Sequence, residues 1–309
     1  MDENTTRVVL FATESTFSLI VNLLVVFLFI FRRNLLSNPH NRCILSLAIT
    51  DILASISVLL TPRLVLGEKV FDLKSHDYLT RELYCRILWN NFLPFALGLT
   101  SVYTSVVLSF ERWLAVRRSL FYKSRFKIRH MNLLIMVSWI VGFTAEVPVA
   151  ILSEGVYGNL STESCRQSLV QRKILTICLS TSLFLFQIFI PMVFITLAYI
   201  DVFRGIRTSL RFAVSARAEN ISCIKRLRKV TRVAVITTIV LAVCWLPCSV
   251  AFYYSLLVYE PLTDHKDPFV IFIGLLAFGN SCINPCIYVF SNPELRNALM
   301  DIFRYRSDI

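Results

Sequence analysis

Residues 45–57, LSLAITDILASIS, place one carboxylate, Asp51, inside a run that is otherwise apolar or hydroxylated. The run belongs to a longer one, 43–66, and six similar runs lie near 10–31, 87–116, 131–152, 174–203, 230–258 and 268–290. A bilayer core takes about 20 apolar residues per helix, so the runs predict an all-α membrane protein, a seven-transmembrane helix bundle. Composition agrees: 56% of residues are hydrophobic and 17% charged, against roughly 25% charged in an average soluble domain. A water-soluble domain of this length has nowhere to hide so much apolar surface, whereas lipid absorbs it. With 8 Gly and 10 Pro the chain is neither collagen-like nor low-complexity, and no fixed-period repeat is visible. The division that follows is 1–9 as an outer N-terminus, 10–290 as the membrane domain and 291–309 as a short tail.

The formal charge of +12 raises nucleic acid as a partner, but its distribution answers otherwise. Inner segments collect cations, among them Arg32, Arg33, Arg42, Arg117, Arg118, Lys123, Arg125, Arg204, Arg207, Arg211, Lys225, Arg228 and Lys229. Outer segments collect acids: Asp2, Glu3, Glu68, Asp72, Asp77, Glu82, Glu154, Glu163, Glu260, Asp264 and Asp267. This asymmetry places the N-terminus outside and the C-terminus in the cytosol. Because the cations flank spans instead of forming one folded basic face, no nucleic-acid partner is expected. The opening MDENTTRVV lacks a basic n-region and a small-residue cleavage site, so the first span is expected to act as its own targeting signal.

Between the fifth and sixth runs, the basic stretch from Arg204 to Lys229 reads as helical extensions into the cytosol joined by a short loop. After the seventh run, SNPELRNALMDIF has an Asn before Pro293 and apolar Leu295, Leu299, Ile302 and Phe303. That spacing predicts a short amphipathic helix on the inner membrane face. Of the nine cysteines only Cys85 and Cys165 fall on the oxidising side, so a bridge between them is expected. The sequons at Asn4 and Asn159 are predicted extracellular and able to carry glycan, whereas the one at Asn220 is predicted cytosolic.

A polar group inside a bilayer is costly, about 2.5–3.5 kcal/mol for an Asp at a helix centre. Asp51 is the clearest intramembrane acid, and Asn22, Ser101, Asn280, Ser281 and Asn284 are the mid-span groups best placed to meet it. A carboxylate with neutral oxygens suits a small hard cation. A hydrogen-bonded cluster, or a protonated Asp without any ion, fits the residue types equally. The four His residues are scattered, and neither metal-ligand spacing nor a Walker or Rossmann glycine string occurs, so no enzyme chemistry is implied.

Several motifs fall in order on successive spans: Asn22; LAITD ending at Asp51; Glu111-Arg112-Trp113; Trp139; Pro191 with Tyr199; Cys244-Trp245-Leu246-Pro247; and Asn284-Pro285-Cys286-Ile287-Tyr288. Through them the chain resembles the rhodopsin-like G-protein-coupled receptors over nearly its whole length. The resemblance implies an extracellular ligand and a heterotrimeric G protein as partners. It implies that Asp51, Ser101, Asn280, Ser281 and Asn284 form a sodium pocket of the inactive state, no other cofactor being implied. It implies that Glu111 holds Arg112 at rest, that Tyr199 and Tyr288 help hold the open state, and that Trp245 lies beneath the ligand cavity. Pro247 then marks the kink about which the sixth helix moves, in accord with the donor that proline removes.

Departures from the family's pattern narrow the ligand. Pro94 stands where amine receptors carry an Asp, which argues against an amine, and Phe278 stands where opsins carry the retinal lysine, which argues against light. Cys85 lies two residues farther from the arginine motif than usual with Pro94 between, which predicts a bulge or altered turn. Leu241 replaces the usual Phe near Trp245. Leu227 replaces an acid that often pairs the arginine, which predicts a weaker resting lock. Pro94, Gly98, Glu146, Phe252 and Phe278 are the candidates for lining the ligand cavity, and the ligand expected is a peptide or a small organic or lipid molecule. A chemosensory receptor of the same fold is the near alternative. A transporter or channel is the distant one, and it would call for paired repeats or several charges through the spans, where this chain shows one deep acid.

Overall fold

The computed structural model describes residues 3–66, 77–151, 153–155, 165–167, 173–215, 221–258, 267–291 and 295–301. Among the described residues seven helices are long and apolar enough to cross a membrane. Their outward faces carry exposed Ile20, Phe27, Leu133, Ile140, Phe186, Leu197, Ile239 and Val243. These are costly in water but at home against acyl chains.

The first span, Glu3–Phe31, begins within the segment expected to be a separate tail. Helical hydrogen bonding needs no lipid to continue, and Arg7 on this extension is buried. The second, Pro39–Leu60, starts where Pro39 sits at the first helical turn and the Asn38 side chain accepts from the His40 backbone N–H. Beyond it the chain turns through Pro62–Leu66, burying Arg63 and Leu64.

The third span shows the irregularity that the spacing of Cys85 and Pro94 predicts. Tyr78–Leu83 is α-helical, Tyr84–Trp89 widens to π geometry, and the helix restarts as Phe92–Arg117. Pro94 cannot donate to residue 90 and its ring clashes with that carbonyl in a continuous helix, so the backbone breaks there. Asn91 takes the left-handed conformation at φ 60°, which Asn tolerates better than most residues. Cys85 is disulfide-bonded to Cys165. Cys165–Gln167 pairs antiparallel with Ser153–Gly155, the two strands among the described residues.

The fourth span, Ile128–Ile151, packs along the third. A Cβ on Gly142 would lie 2.6 Å from the Thr100 backbone nitrogen, so only glycine permits this approach. Thr104 and Ser138 share a 2.9 Å hydrogen bond across the pair, and Trp139 donates to Ser46 of the second span at 3.3 Å. The fifth span runs Lys173–Phe184, a π turn Leu185–Phe189, then Ile190–Ser215. The π turn lies just before Pro191, whose missing donor a widened turn accommodates, and Tyr103 donates to the Phe186 carbonyl. The sixth, Ile221–Val258, contains Pro247, and the seventh, Pro268–Ser291, contains Pro285. Helix therefore extends to Ser215 and resumes at Ile221, as the basic stretch predicts. Residues 295–301 are helical, with Leu295 and Ala298 buried against Val25, Leu28, Leu47 and Tyr288. Asp301 pairs with Arg32 of the first span's end; Ile302 and Phe303 lie outside the described residues.

Candidate functional site

Three levels of the bundle carry polar chemistry. At the inner end of the third span, Glu111 is fully buried and its two oxygens accept from Arg112 Nε at 2.5 Å and Arg112 Nη2 at 2.6 Å. Tyr122 Oη, from the short helix Ser119–Arg125, also donates to Glu111, and His40 Nδ1 stands 3.5 Å away. Burial and the neighbouring Glu111 carboxylate push the Tyr122 phenol up, so it keeps its proton and stays a donor at ordinary pH. A buried ion pair is held together by such additional donors, and breaking it leaves an uncompensated charge. Beside it Trp113 Nε1 and Arg117 Nε both donate to Asp201 of the fifth span at 2.9 Å. Tyr199 lies within hydrogen-bonding reach of Ser109 and Thr238. Leu227's side chain lies outside the described residues.

Midway, Asp51 Oδ1 accepts from Ser101 at 3.2 Å and Ser281 at 2.8 Å, and Oδ2 from Asn284 Nδ2 at 3.3 Å. Among the described residues the buried Asn280 and Asn284 Oδ1 atoms, and the Tyr288 hydroxyl, have no hydrogen-bond partner. Acceptor oxygens left without donors in a dry interior, together with one carboxylate, fit a small hard cation. Among the described residues Asp51's hydrogen-bond partners are Ser101, Ser281 and Asn284, without Asn280, and Asn22 differs from expectation too. Its amide donates to the Ser281 carbonyl and to the Ser18 carbonyl, both at 2.9 Å. It therefore ties the first span to the backbone of the residue whose hydroxyl reaches Asp51, and acts through position. The first span also carries Glu14, a second intramembrane acid, whose Oε1 would stand 3.0 Å from a Cβ on Gly279. Asp51 is thus not the one deep acid that the sequence pattern presents.

Above Trp245 opens a cavity of about 140 Å³. Glu146, Phe252 and Phe278 line it, together with Arg7, Phe11, Arg63, Asn90, Asn91, Phe95 and Gln187. Pro94 and Gly98 do not. Pro94 occupies the restarted helix's first turn, and a Cβ on Gly98 would fall 2.1 Å from Trp245 Cη2, so the indole fills that space. Glu146 is buried and accepts from Gln187 Nε2 at 3.0 Å. Phe11, Phe278, Phe95 and Trp245 form a chain of rings with centroids 6.2, 5.8 and 6.1 Å apart, spacings at which edge and face attract. The Trp245 indole N–H has no partner among the described residues.

A family model described as "7 transmembrane receptor (rhodopsin family)" matches residues 21–288. The chain belongs to that family. The receptor is similar to mouse (Mus musculus) neuropeptide Y receptor type 6, 24% identical over 284 residues that cover 87% of this chain and 72% of that protein. It is similar to the allatostatin-A receptor of Bombyx mori, 30% identical over 207 residues covering 65% and 55% of the two chains. It is also similar to a Gq-coupled rhodopsin of Mizuhopecten yessoensis, 25% identical over 295 residues covering 90% and 55%. The receptor spans little more than half the length of the last two. These relatives are receptors and not enzymes, and with seven apolar helices the chain is a multi-pass membrane protein.

Of the residues expected from the sequence, Glu111, Arg112 and Tyr199 gather at the inner end, and Asp51, Ser101, Ser281 and Asn284 gather in mid-bundle. Trp245 lies under the cavity with Pro247 two residues beyond it in the same helix. Asn159 and the side chain of Asn4 lie outside the described residues. Sequence reasoning missed Arg7, Arg63, Tyr122 and Asp201. Arg7 and Arg63 carry a readable signal, two cations on the side where acids dominate; Tyr122 and Asp201 carry none short of the fold.

Proposed function

We propose that the receptor sits in the plasma membrane with its N-terminus outside, binds a non-amine ligand in the cavity above Trp245, and activates a heterotrimeric G protein. The observation that supports this reading is that one bundle carries, at successive levels, a cavity over Trp245, the Asp51 polar cluster and the buried Glu111–Arg112 pair. The Trp245 ring both touches the cavity and closes on Gly98, about one helical turn above Ser101 of the Asp51 cluster, and the buried Glu111–Arg112 pair lies at the far end of the same helix as Gly98. A ligand that prefers one packing of Trp245 shifts the population of that packing by its differential affinity. Pro247 leaves the sixth helix without one backbone hydrogen bond and gives it a place to bend. An outward movement of that helix would free Arg112 from Glu111 to meet the G-protein α-subunit, with Tyr199 and Tyr288 filling the inner bundle and Asn284-Pro285 as the flexible turn of the seventh helix.

In the resting arrangement, a sodium ion would be held by Asp51 with oxygens from Ser101, Asn280, Ser281 and Asn284. It would supply the positive charge that the buried carboxylate and the unpaired amide oxygens lack. The names of the relatives, a neuropeptide Y receptor, an allatostatin-A receptor and a rhodopsin, do not decide the ligand. The cavity's aromatic lining favours a small organic or lipid ligand or the tip of a peptide. The test is nucleotide exchange on purified heterotrimeric G protein by the full chain in lipid nanodiscs, without ligand and with an outer-ligand library. Exchange that vanishes with Arg112→Ala supports the reading; a chain that never raises exchange with any G-protein family overturns it.

A further inference from the structure

We infer that the cavity above Trp245 takes a small amphipathic anion, a carboxylate with an aryl or alkyl body, whose acid group is read by Arg7 and Arg63. This rests on the cavity being the ligand site. Two guanidinium groups on the acidic, outer side of the bundle turn inward and not to solvent: Arg7 is 9% exposed and Arg63 6%, and both line the cavity. They come from the first span and from the turn after the second, which pack on one another. Arg63 Cζ lies 4.1 Å from the centroid of the Trp89 ring. That cation–π contact holds the guanidinium beside the ring, and its N–H groups are its hydrogen-bond donors.

Both arginines have contacts within the protein, and burial makes a charged partner worth more to them, not less. A guanidinium keeps its proton and is the side chain whose fork matches a carboxylate in two hydrogen bonds. The one acid among the described lining residues, Glu146, belongs to the fourth span, which packs on the third, and is held by Gln187. The described wall therefore carries two cationic side chains and one acidic one, the cations on two elements that pack on one another. The chain of rings that ends at Trp245 begins at Phe11, one helical turn along the first span from Arg7. A ligand anchored at the arginines lays its apolar body along those rings and reaches the Trp245 indole. The volume, about 140 Å³, falls below the roughly 300–1,000 Å³ of drug-sized sites, which points to a small molecule.

The full chain in nanodiscs would be titrated with a series of phenylalkyl carboxylates, from phenylacetate to phenylhexanoate, and with the matched primary amides and amines. Binding is read as a shift of the thermal unfolding midpoint and as displacement of the tightest series member in labelled form. The carboxylates should bind at least tenfold more tightly than their amides, and Arg63→Gln and Arg7→Gln should each erase most of that difference. Arg63→Glu should reverse it in favour of the amines, which a merely misfolded variant would not do. Equal binding of carboxylates and amides, preference for the amines by the unaltered chain, or no binding by any member at millimolar concentration overturns the proposal. Ligand-free nucleotide exchange lost with Arg112→Ala is measured in the same preparation. It stands or falls independently, so failure of the anion site is told apart from failure of the receptor reading.

Discussion

The two ends of the bundle are built on different terms. At the inner end the spans run on as α-helix, and the chemistry is a buried group, Glu111 held by Arg112 and Tyr122, beside a half-exposed one, Asp201 held by Trp113 and Arg117. At the outer end the third span breaks at Asn90 and Asn91, the fifth passes through a π turn, and the second ends in Pro62–Leu66. The inner end needs one arrangement that a ligand can release, so its donors are packed tightly. The outer end needs a concave surface, and departures from ideal helix open it. The motif residues that carry the family resemblance cluster at the inner and middle levels, whereas Arg7, Arg63 and Glu146 line the outer cavity.

The severest way to break this contrast is Arg112→Ala, which should reduce receptor-driven nucleotide exchange to the G protein's own rate while leaving outer ligand binding within a few-fold. A loss of ligand binding equal to the loss of exchange would mean that the two ends are not separable. Next, Cys85→Ala should cost on the order of 2–4 kcal/mol and fall on the outer end, seen as lower surface expression with residual exchange intact. Gly98→Ala tests the link between them. Its Cβ would meet the Trp245 ring, built 2.1 Å away, and overpacking of that kind costs about 1–3 kcal/mol. The indole must move, so the expected reading is altered ligand-free exchange together with a lower unfolding midpoint.

Smaller effects sharpen the inner half. Asp51→Asn should abolish any lowering of ligand-free exchange by sodium chloride relative to an organic-cation salt of equal strength. An undiminished sodium effect would place the ion elsewhere. Trp113→Phe keeps the stacking with Phe110 but removes the donor to Asp201. A half-exposed hydrogen bond of this kind is worth about 1 kcal/mol or less, so ligand-free exchange should rise by no more than roughly fivefold. A larger rise would make the Trp113–Asp201 contact the main resting lock, in place of Glu111–Arg112.

Much of this was legible in one dimension because lipid imposes a local rule. About 20 apolar residues make a span wherever they occur, so seven runs predict seven helices, and Pro94 four residues after Asn90 predicts the break. Loop charges predict the chain's orientation for the same local reason, and the expected bridge between Cys85 and Cys165 needed only the predicted sidedness of two cysteines. Contacts between spans obey no such rule. Nothing near Tyr122 in the chain announces that its hydroxyl lies against Glu111, and Asn22 meets a carbonyl 259 positions away. Pro94 and Gly98 looked like cavity residues by their position along the third span, yet one was absorbed by the broken turn and the other by Trp245. Hydropathy alone thus determined how many times this chain crosses the membrane. Which polar groups meet, and which guanidinium groups face the cavity, were decided by the rotation and closeness of helices packed against one another.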